Sequence, residues 1–245
     1  MKYLIASDIH GSAFYCEQLI EQFNNQGADK LLLLGDILYH GPRNELPLGY
    51  EPKKVIEMLN SISDKIFCVR GNCDCEVDQM VLKFPIMAEY AMIPYKDKTI
   101  FVTHGHKYGI DAVEKYYREL AAYNKAQENG EIATMPAPIP ALNPGDVLLQ
   151  GHTHESACYT MGCGIVYINP GSVSIPKGYS SCGYLTYEDG VFTGYTLDGD
   201  PDGMRYDMNP IVEAPVAETE SVNETETVKV GFDTLVETSS EDTAE

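Results

Sequence analysis

The chain has 245 residues, of which 44% are hydrophobic and 22% are charged, a composition typical of globular proteins with room for one sizeable α/β domain. Acidic residues outnumber basic ones by 37 to 17, for a formal net charge of −20. This charge argues against nucleic acid or an anionic membrane surface as a partner, because both attract basic surfaces. No run of about 18 apolar residues occurs in the sequence, so a transmembrane helix is not predicted.

The first 70 residues alternate short apolar runs with amphipathic segments. Apolar runs at residues 2–7, 30–35 and 65–69 predict buried strands. Between them, residues 14–26 and 52–62 carry apolar side chains at helical spacing, and the second segment begins with a proline, which suits the first turn of a helix. This β-α-β-α-β order predicts a largely parallel sheet covered by helices, and hence the α/β class.

The second half of the chain is richer in strand patterns than in helices. Further strands are predicted from apolar or tyrosine-rich runs at residues 99–104, 146–150, 165–168, 183–188 and 191–196. The later runs are separated by glycine turns and not by helices, which favours antiparallel pairing in a second sheet.

Residues 107–145 interrupt this pattern with a predicted helix and a proline-rich return. Asp111 and Glu114 resemble a capping box at the start of the helix, and Gly130 is a suitable stop. Apolar side chains at helical spacing are Val113, Tyr116, Tyr117 and Leu120. A connection of this length is usually functional or disordered. It is either a lid or substrate wall, to which Tyr116, Tyr117 and Tyr123 would contribute, or an ordinary surface insertion.

The folded domain is predicted to span residues 1–197, and residues 198–245 are predicted to form an acidic tail. After a turn-rich DGDPDG sequence, the composition shifts to Glu, Thr, Val and Ser, and residues 213–245 contain ten acidic residues against one lysine. Such a composition is typical of a disordered, solvated segment.

Metal-binding side chains follow five of the predicted strands, at the point where each strand ends. They are Asp8, His10, Asp36, Asn72, His104, His152 and His154. In an α/β sheet, ligands bind in the crevice outside the carboxyl ends of the strands. A single histidine beside a strand is usually structural, but five strand ends with such residues predict a metal site.

These seven side chains offer only oxygen and nitrogen donors, too many for one tetrahedral ion. Two divalent cations that share a bridging carboxylate would use them all, and such a pair activates a water and holds both ends of an in-line phosphoryl displacement. Mixed imidazole and carboxylate ligands suit Mn²⁺, Zn²⁺ or Fe²⁺ better than Ca²⁺ or Mg²⁺. We therefore expect two divalent ions, Mn²⁺ ahead of Zn²⁺, Fe²⁺ or Ni²⁺, and a phosphate ester as substrate.

The order of these motifs resembles the calcineurin-like metallophosphoesterases, and especially the small bacterial phosphodiesterases of that superfamily. In chain order the motifs are SDIHGS, GDILYHGPRN, RGNCD, THGH, GHTH and NPGSVSIPKG. The resemblance covers residues 1 to about 197, apart from the 107–145 insertion. It implies a four-layer αββα fold, in which helices flank a two-sheet β-sandwich, and a dinuclear metal centre.

Carried over residue by residue, the resemblance divides the seven ligands between two ions, with Asp36 bridging them. One ion would take Asp8, His10, Asp36 and His154. The other would take Asp36, Asn72, His104 and His152. His106 matches no ligand position in this pattern, so we assign it a supporting or structural role.

Cys73 stands where most relatives carry a histidine that protonates the leaving group. A thiol has an ordinary pKa of about 8.5 and no positive charge, so it replaces that histidine poorly. Substrates with a good leaving group would suffer least. Cys73 and Cys75 form only a C-x-C pair, which lacks both the second ligand pair of a structural zinc site and the spacing of a redox C-x-x-C motif. We predict that neither cysteine binds metal.

Two residues that follow Asp36 are candidate substrate contacts. Arg43 is suited to grip a phosphate oxygen with two hydrogen bonds, and His40 is suited to donate to the substrate or leaving group. A loop held by polar contacts is the alternative for both. Asn169 and Gly171 are expected to build a turn beside the site.

The hypothesis that follows is a metal-dependent phosphodiesterase in which a metal-bridging hydroxide attacks phosphorus, with Asp36, Asn72 and His104 at the catalytic centre. The alternatives on the same site are a phosphomonoesterase, a protein phosphatase and a dinucleoside polyphosphate hydrolase. One eukaryotic relative keeps this fold as a retromer scaffold, but a scaffold can dispense with some ligands, and all seven are present here.

The seven cysteines lack the dense spacing of a secreted disulfide scaffold, so we predict reduced thiols and a cytoplasmic protein. The expected partner is a small-molecule phosphodiester, with no nucleic acid and no membrane. A homo-oligomer is left open.

Overall fold

The computed structural model describes residues 1–137 and 142–209, which contain two mixed β-sheets and four α-helices. The strands are β1 (Tyr3–Ala6), β2 (Lys30–Leu33), β3 (Ile66–Cys68), β4 (Tyr90–Tyr95), β5 (Lys98–Thr103), β6 (Val147–Leu149), β7 (Ser156–Thr160), β8 (Val166–Pro170), β9 (Gly183–Glu188), β10 (Val191–Thr196) and β11 (Pro201–Asp207). The helices are α1 (Ala13–Asn25), α2 (Pro52–Ser61), α3 (Glu76–Val81) and α4 (Ile110–Glu128). Within the described residues, none of the helices has the length and apolar character needed to cross a membrane.

The first sheet has six strands in the order β11-β10-β9-β1-β2-β3. Strands β1, β2 and β3 pair in parallel, whereas β9, β10 and β11 are antiparallel to their neighbours. The second sheet has the order β4-β5-β6-β8-β7, with β5, β6 and β8 in parallel and the two edge strands antiparallel. Each sheet therefore has a parallel centre, as the strand ends of a shared site require.

Both faces of the central strands are buried, which explains their unbroken apolar runs. In β2 and the residue after it, Leu31 and Leu33 pack with α1 and α2 on one face, whereas Leu32 and Leu34 pack on the other face against the second sheet. The outer face of the second sheet is covered by α4 through Val113. The layers are thus helices, sheet, sheet and helix, and the four-layer αββα arrangement expected from the resemblance is confirmed.

The prediction that the later strands pair antiparallel in a second sheet is wrong in two ways. Strands β9 and β10 are antiparallel, but they extend the first sheet, because β9 pairs with β1 through Ile5 and Leu185. This pairing carries Leu185 and Phe192 into the core between the two sheets. Strands β5, β6 and β8 do form the second sheet, but in parallel, and α4 lies in the connection from β5 to β6.

The predicted domain boundary at Leu197 is also too early. Strand β11 pairs with β10, with Tyr206 opposite Phe192, and Met204 and Tyr206 pack against the core between the sheets. The turn at 198–200 is therefore a hairpin and does not end the domain, whose described part continues to Asn209. The rest of the predicted acidic tail, residues 210–245, lies outside the described residues.

The insertion contains the predicted helix, but its start differs from the prediction. Gly109 is the N-cap of α4, so Asp111 and Glu114 lie inside the helix and do not form a capping box. The helix ends at Glu128, two residues before the predicted stop at Gly130. Strands β4 and β7 and helix α3 were not predicted. Strand β4 has no fully buried residue and therefore lacks the apolar run of a central strand.

Candidate metal centre

The structure brings all seven predicted ligands to one edge of the sandwich. Asp8 follows β1, Asp36 follows β2, and Asn72 lies in the turn after β3. From the second sheet, His104 directly follows β5, and the loop at 152–154 follows β6. Since the neighbouring strands in each set are parallel, their carboxyl ends reach the same edge.

The backbone at this edge is strained. Non-glycine residues with φ between 49° and 68° include Asp8, His10, Asp36, His152 and His154. A left-handed conformation at such residues costs of order 1–3 kcal/mol each and persists only where the surroundings enforce it. Here the Asp8 N–H donates to the Gly35 carbonyl at 3.1 Å, and the His10 N–H donates to the Asp36 carbonyl at 2.9 Å. Strain of this kind clusters at functional sites.

The first cluster consists of Asp8, His10, Asp36 and His154. The two imidazole Nε2 atoms of His10 and His154 lie 3.1 Å apart. Oδ1 of Asp8 lies 3.4 Å from Nε2 of His10 and 3.2 Å from Nε2 of His154. Oδ2 of Asp36 lies 3.8 Å from Nε2 of His10. These four side chains are the ones that the resemblance assigns to one ion.

The second cluster consists of Asp36, Asn72, His104 and His152. Nε2 of His104 lies 3.5 Å from Oδ2 of Asp36 and 3.1 Å from Oδ1 of Asn72. Nδ1 of His152 lies 3.2 Å from the same Nε2 atom. Because Oδ2 of Asp36 faces both clusters, this carboxylate has the position that a bridging ligand needs.

The donor atoms fit metal ions and leave few alternatives. Nδ1 of three imidazoles donates at 2.7 Å to a backbone carbonyl, in the pairs His10–Tyr39, His104–Leu34 and His154–Ile175. A carbonyl only accepts, so Nδ1 carries the proton and the neutral ring presents a lone pair at Nε2. His10 and His154 therefore direct two lone pairs toward each other, which is repulsive unless a cation binds both. Among the described residues, Oδ1 of Asp8 is buried without a hydrogen-bond partner.

The charges within the clusters favour an ionised Asp8. Burial by itself raises the pKa of a carboxyl group, but the charge of His104 and the hydrogen bonds of His10 and His154 outweigh burial and hold the pKa of Asp8 well below its ordinary value. Burial likewise opposes protonation of His10, yet the hydrogen bond and charge of Asp8 raise the pKa of His10. A proton on His10 thus competes with a metal ion for the same lone pair.

A buried carboxylate that the sequence analysis overlooked joins the two halves of the first sheet's contribution. Asp74 is 1% exposed and accepts backbone N–H bonds from Asp36 and Ile37, both at 2.9 Å, and from Gly71 at 2.7 Å. These bonds tie the turn after β2 to the turn that carries Asn72. Asp74 lies in the RGNCD motif, but its role depends on donors from two turns, which the sequence alone does not reveal.

We expect Asp74→Asn to lower the free energy of unfolding of the metal-free protein by about 2–4 kcal/mol. The introduced amide would turn an N–H group toward a backbone N–H group, so at least one buried hydrogen bond would be lost. Urea titration measures the change. Asp64→Asn, which removes the same charge from an exposed residue, is the control and should stay within about 0.5 kcal/mol. Equal stability of the two variants would show that Asp74 does not hold the turns together.

The NPGS turn supports the site from the second sheet. The Asn169 amide donates to the Gly151 carbonyl at 2.9 Å, and its oxygen accepts the Gly171 N–H at 2.8 Å. The Ser172 hydroxyl donates to the Asp8 carbonyl at 2.8 Å. Asn169 and Gly171 therefore build the expected turn, which fixes the loops of both clusters.

Cys73 faces the site, whereas Cys75 does not. The Cys73 N–H donates to Oδ1 of Asp36 at 2.8 Å, and its Sγ lies within 4.8 Å of donor atoms of His10 and Asp36. Burial, and then the charge of Asp36, raise the pKa of the Cys73 thiol. The Cys75 N–H donates to the Asp78 carboxylate at 2.9 Å at the start of α3. That neither cysteine binds metal stays a prediction.

His40 lies beside the cleft and does not form part of its wall. Its ring packs edge-on against Tyr39 and Tyr50, with centroid distances of 4.7 and 5.3 Å. The expected hydrogen bond from His40 to the substrate is therefore not supported by this position. The structure favours the alternative for His40, a residue that holds its loop by packing.

His106 packs against the second cluster without contributing a donor atom to it. Its ring centroid lies 5.5 Å from that of His104 and 6.2 Å from that of His152. Burial, and then the charge of His104, lower the pKa of His106 to about 4. A neutral ring in van der Waals contact agrees with the supporting role assigned to it.

The two clusters open onto a cleft of about 500 Å³. Arg43 lies in its wall, as predicted for a substrate contact, and so does Lys177, which the sequence analysis did not single out. Of the described part of the insertion, only Asp111 reaches the wall; Tyr116, Tyr117 and Tyr123 do not. A second cleft of about 580 Å³, near Tyr179 and Asp202, contains none of the predicted ligands.

Comparisons with known proteins agree with this arrangement. The family profile described as "Calcineurin-like phosphoesterase superfamily domain" matches residues 1–190. The chain is 41% identical over 210 residues to phosphodiesterase YfcE of Escherichia coli strain K12, and the alignment covers 86% of this chain and 100% of that protein. The same values apply to phosphodiesterase YfcE of Escherichia coli O157:H7.

Solved structures show the same likeness. The structure of YfcE, a phosphoesterase from E. coli, is similar with a TM-score of 0.69 at 40% sequence identity, covering 85% of this chain and 100% of that one. Vps29 from Entamoeba histolytica, solved in complex with Zn²⁺, is similar with a TM-score of 0.50 at 20% identity, covering 85% of this chain and 100% of that one. At the latter identity the likeness concerns the fold alone.

Proposed function

Since this chain belongs to the calcineurin-like phosphoesterase superfamily and is a hydrolase of phosphate esters, we propose that its substrates are phosphodiesters and that it works with two divalent metal ions. The observation that carries the proposal is the convergence of unpaired acceptor atoms at one sheet edge: the Nε2 atoms of His10 and His154 lie 3.1 Å apart, beside a buried Oδ1 of Asp8 without a partner. The 41% identity to a protein named phosphodiesterase supports the diester as substrate.

The first cluster would hold one ion and the second cluster the other, with Asp36 between them. When bound, such ions supply an activated water and neutralise the phosphoryl oxygens. Asp8 and Asp36 contribute the negative charge that keeps divalent cations in place, and Asn72 adds a neutral oxygen donor. The hydrogen bonds from His10, His104 and His154 to backbone carbonyls fix the rings, so the donor atoms need little rearrangement before binding. Arg43, in the cleft wall, would hold a phosphoryl oxygen.

The donor set favours Mn²⁺, because imidazole and carboxylate ligands in one site suit this ion and its neighbours Zn²⁺, Fe²⁺ and Ni²⁺ better than Mg²⁺ or Ca²⁺. The net charge of −20 supports a small-molecule substrate and not nucleic acid or an anionic membrane. The seven cysteines are free thiols, which is in keeping with a cytoplasmic protein.

The ratio of diester to monoester hydrolysis tests the proposed function. With Mn²⁺ added, bis(4-nitrophenyl) phosphate should be hydrolysed with a kcat/KM at least about tenfold above that of 4-nitrophenyl phosphate, because position 73 offers no imidazolium to the leaving group of a dianionic monoester. Cys73→His should reduce this ratio by raising monoester hydrolysis. Phosphopeptides and dinucleoside polyphosphates complete the panel for the alternative activities.

Cys75→His is the matched control, since Cys75 lies at the start of α3 and away from the clusters. It should leave the ratio unchanged. A wild-type protein that prefers the monoester would overturn the proposed function, and an unaltered ratio in Cys73→His would remove the role given to position 73.

A further inference from the structure

Two cations in the cleft wall have no counterpart among the described acidic residues. Arg43 and Lys177 are exposed and line the cleft. Within the described residues, neither side chain forms an ion pair or a hydrogen bond to another side chain. In a chain with 37 acidic and 17 basic residues, two unpaired cations in one cleft indicate an anionic ligand.

Both cations lie on loops that are fixed to the first cluster. The Tyr39 carbonyl, four residues before Arg43, accepts the proton of His10 Nδ1 at 2.7 Å. The Lys177 N–H donates to the His154 carbonyl at 3.0 Å. The loop of Arg43 also passes over Cys73, since a Cβ atom at Gly41 would lie 3.4 Å from the Cys73 sulfur. The cationic end of the cleft is thus the end at the first cluster.

The other end of the cleft carries a negative charge. Asp111 lies in the first turn of α4 and in the cleft wall. The Ile110 N–H donates to Oε1 of Gln150 at 2.8 Å, and Gly109 packs against the Gly105 carbonyl directly after His104. These contacts place the start of α4 beside the second cluster. The cleft is therefore cationic at the first cluster and anionic at the second.

Building on the proposed function, we propose that the cleft selects phosphodiesters that carry a second anionic group, such as a phosphate, on one of their two alcohols, and that Arg43 and Lys177 bind this group. A diester phosphate has a single negative charge, so two cations beyond the metal ligands exceed what that phosphate needs. A guanidinium binds phosphate through two parallel hydrogen bonds, and an ammonium acts as a point charge. Asp111 repels the second anion from the opposite end and so fixes the direction of binding.

Two chromogenic diesters that differ only in a second phosphate test the proposal. They are thymidine 5′-(4-nitrophenyl phosphate) with a free 3′-hydroxyl and the same compound with a 3′-phosphate. We expect the 3′-phosphate to raise kcat/KM at least about tenfold in the wild-type protein with Mn²⁺, from its charge-assisted hydrogen bonds. This gain should fall below about twofold in Lys177→Gln and Arg43→Gln, and Lys177→Arg should keep most of it.

Lys53→Gln is the control, because Lys53 is an exposed residue of α2 and its loss changes the net charge equally. It should leave the gain unchanged. Equal kcat/KM values for the two compounds in the wild-type protein, with both hydrolysed, would refute the second anionic group and leave the proposed function intact.

Calorimetric binding of both compounds separates this inference from the proposed hydrolysis. If neither compound is hydrolysed but the 3′-phosphate still tightens binding about tenfold in a Lys177-dependent manner, the anion site stands and the proposed function falls. If the 3′-phosphate tightens binding equally in Lys177→Gln and wild type, the site assigned to Lys177 is wrong.

Discussion

Removal of divalent metal by a chelator is expected to lower hydrolysis of bis(4-nitrophenyl) phosphate by at least about 10³-fold, since metal ions supply several kcal/mol of transition-state stabilisation in such reactions. The same treatment should lower the melting temperature. A metal at 100 times its Kd stabilises the folded state by about 2.7 kcal/mol, which corresponds to roughly 5–10 °C for a domain of this size. The reason is local: without cations, the lone pairs of His10 and His154 and the unpartnered Oδ1 of Asp8 remain uncompensated.

Addition of Mn²⁺ to the chelated protein should restore both activity and melting temperature, whereas Ca²⁺, which prefers an all-oxygen shell, should restore activity poorly. Elemental analysis must accompany each sample. Full activity in a preparation shown to be free of metal would contradict the metal-dependent mechanism.

Asp36→Asn is expected to reduce hydrolysis of the same diester by at least about 10³-fold, or roughly 4 kcal/mol. Oδ2 of Asp36 lies 3.8 Å from Nε2 of His10 and 3.5 Å from Nε2 of His104, so a single substitution removes negative charge from both clusters. The asparagine oxygen can still accept the Cys73 N–H that Oδ1 of Asp36 accepts at 2.8 Å. The fold of the metal-free protein should therefore survive, within about 1 kcal/mol in urea titration.

His104→Ala should inactivate the enzyme in the same way through the second cluster alone. Asp97→Asn, which removes a carboxylate from an exposed turn remote from the site, is the control for charge and should retain activity. A fully active Asp36→Asn protein with its metal content controlled would show that the two clusters do not form the catalytic centre.

The position of the ligands could be predicted from the sequence because it depends on a local rule. Asp8, Asp36 and His104 each follow a short apolar run, and the carboxyl ends of parallel strands meet at one edge. The rule needs only the strand ends and not the pairing of the strands. The site was therefore assembled correctly although β9 and β10 were assigned to the wrong sheet.

What the sequence did not reveal depends on contacts between distant segments. The antiparallel pairing of β9 with β1 joins residues some 180 positions apart, and no local pattern specifies it. Asp74 acts through backbone N–H groups of two other turns, which carry no side-chain signature. Strand β11 follows a Gly-Asp-Pro-Asp turn that also suits the end of a domain. Lys177 entered the cleft only through the folding of its loop against His154.

Strain and function coincide at the ligands. Five of the seven adopt a left-handed backbone, and the surrounding carbonyls, Asp74 and the NPGS turn hold them there. A Cβ atom at Gly71 would overlap the Asp36 carboxylate, so only glycine allows the two turns to approach this closely. The fold thus uses part of its stability to place acceptor atoms against one another.

Diffraction from crystals grown with Mn²⁺, recorded where manganese scatters anomalously, tests the central claim most directly. Two anomalous peaks should appear for each chain, one ligated by Asp8, His10 and His154 and the other by Asn72, His104 and His152, with the Asp36 carboxylate between them. A single peak, or no peak at these side chains at saturating Mn²⁺, would contradict a dinuclear centre.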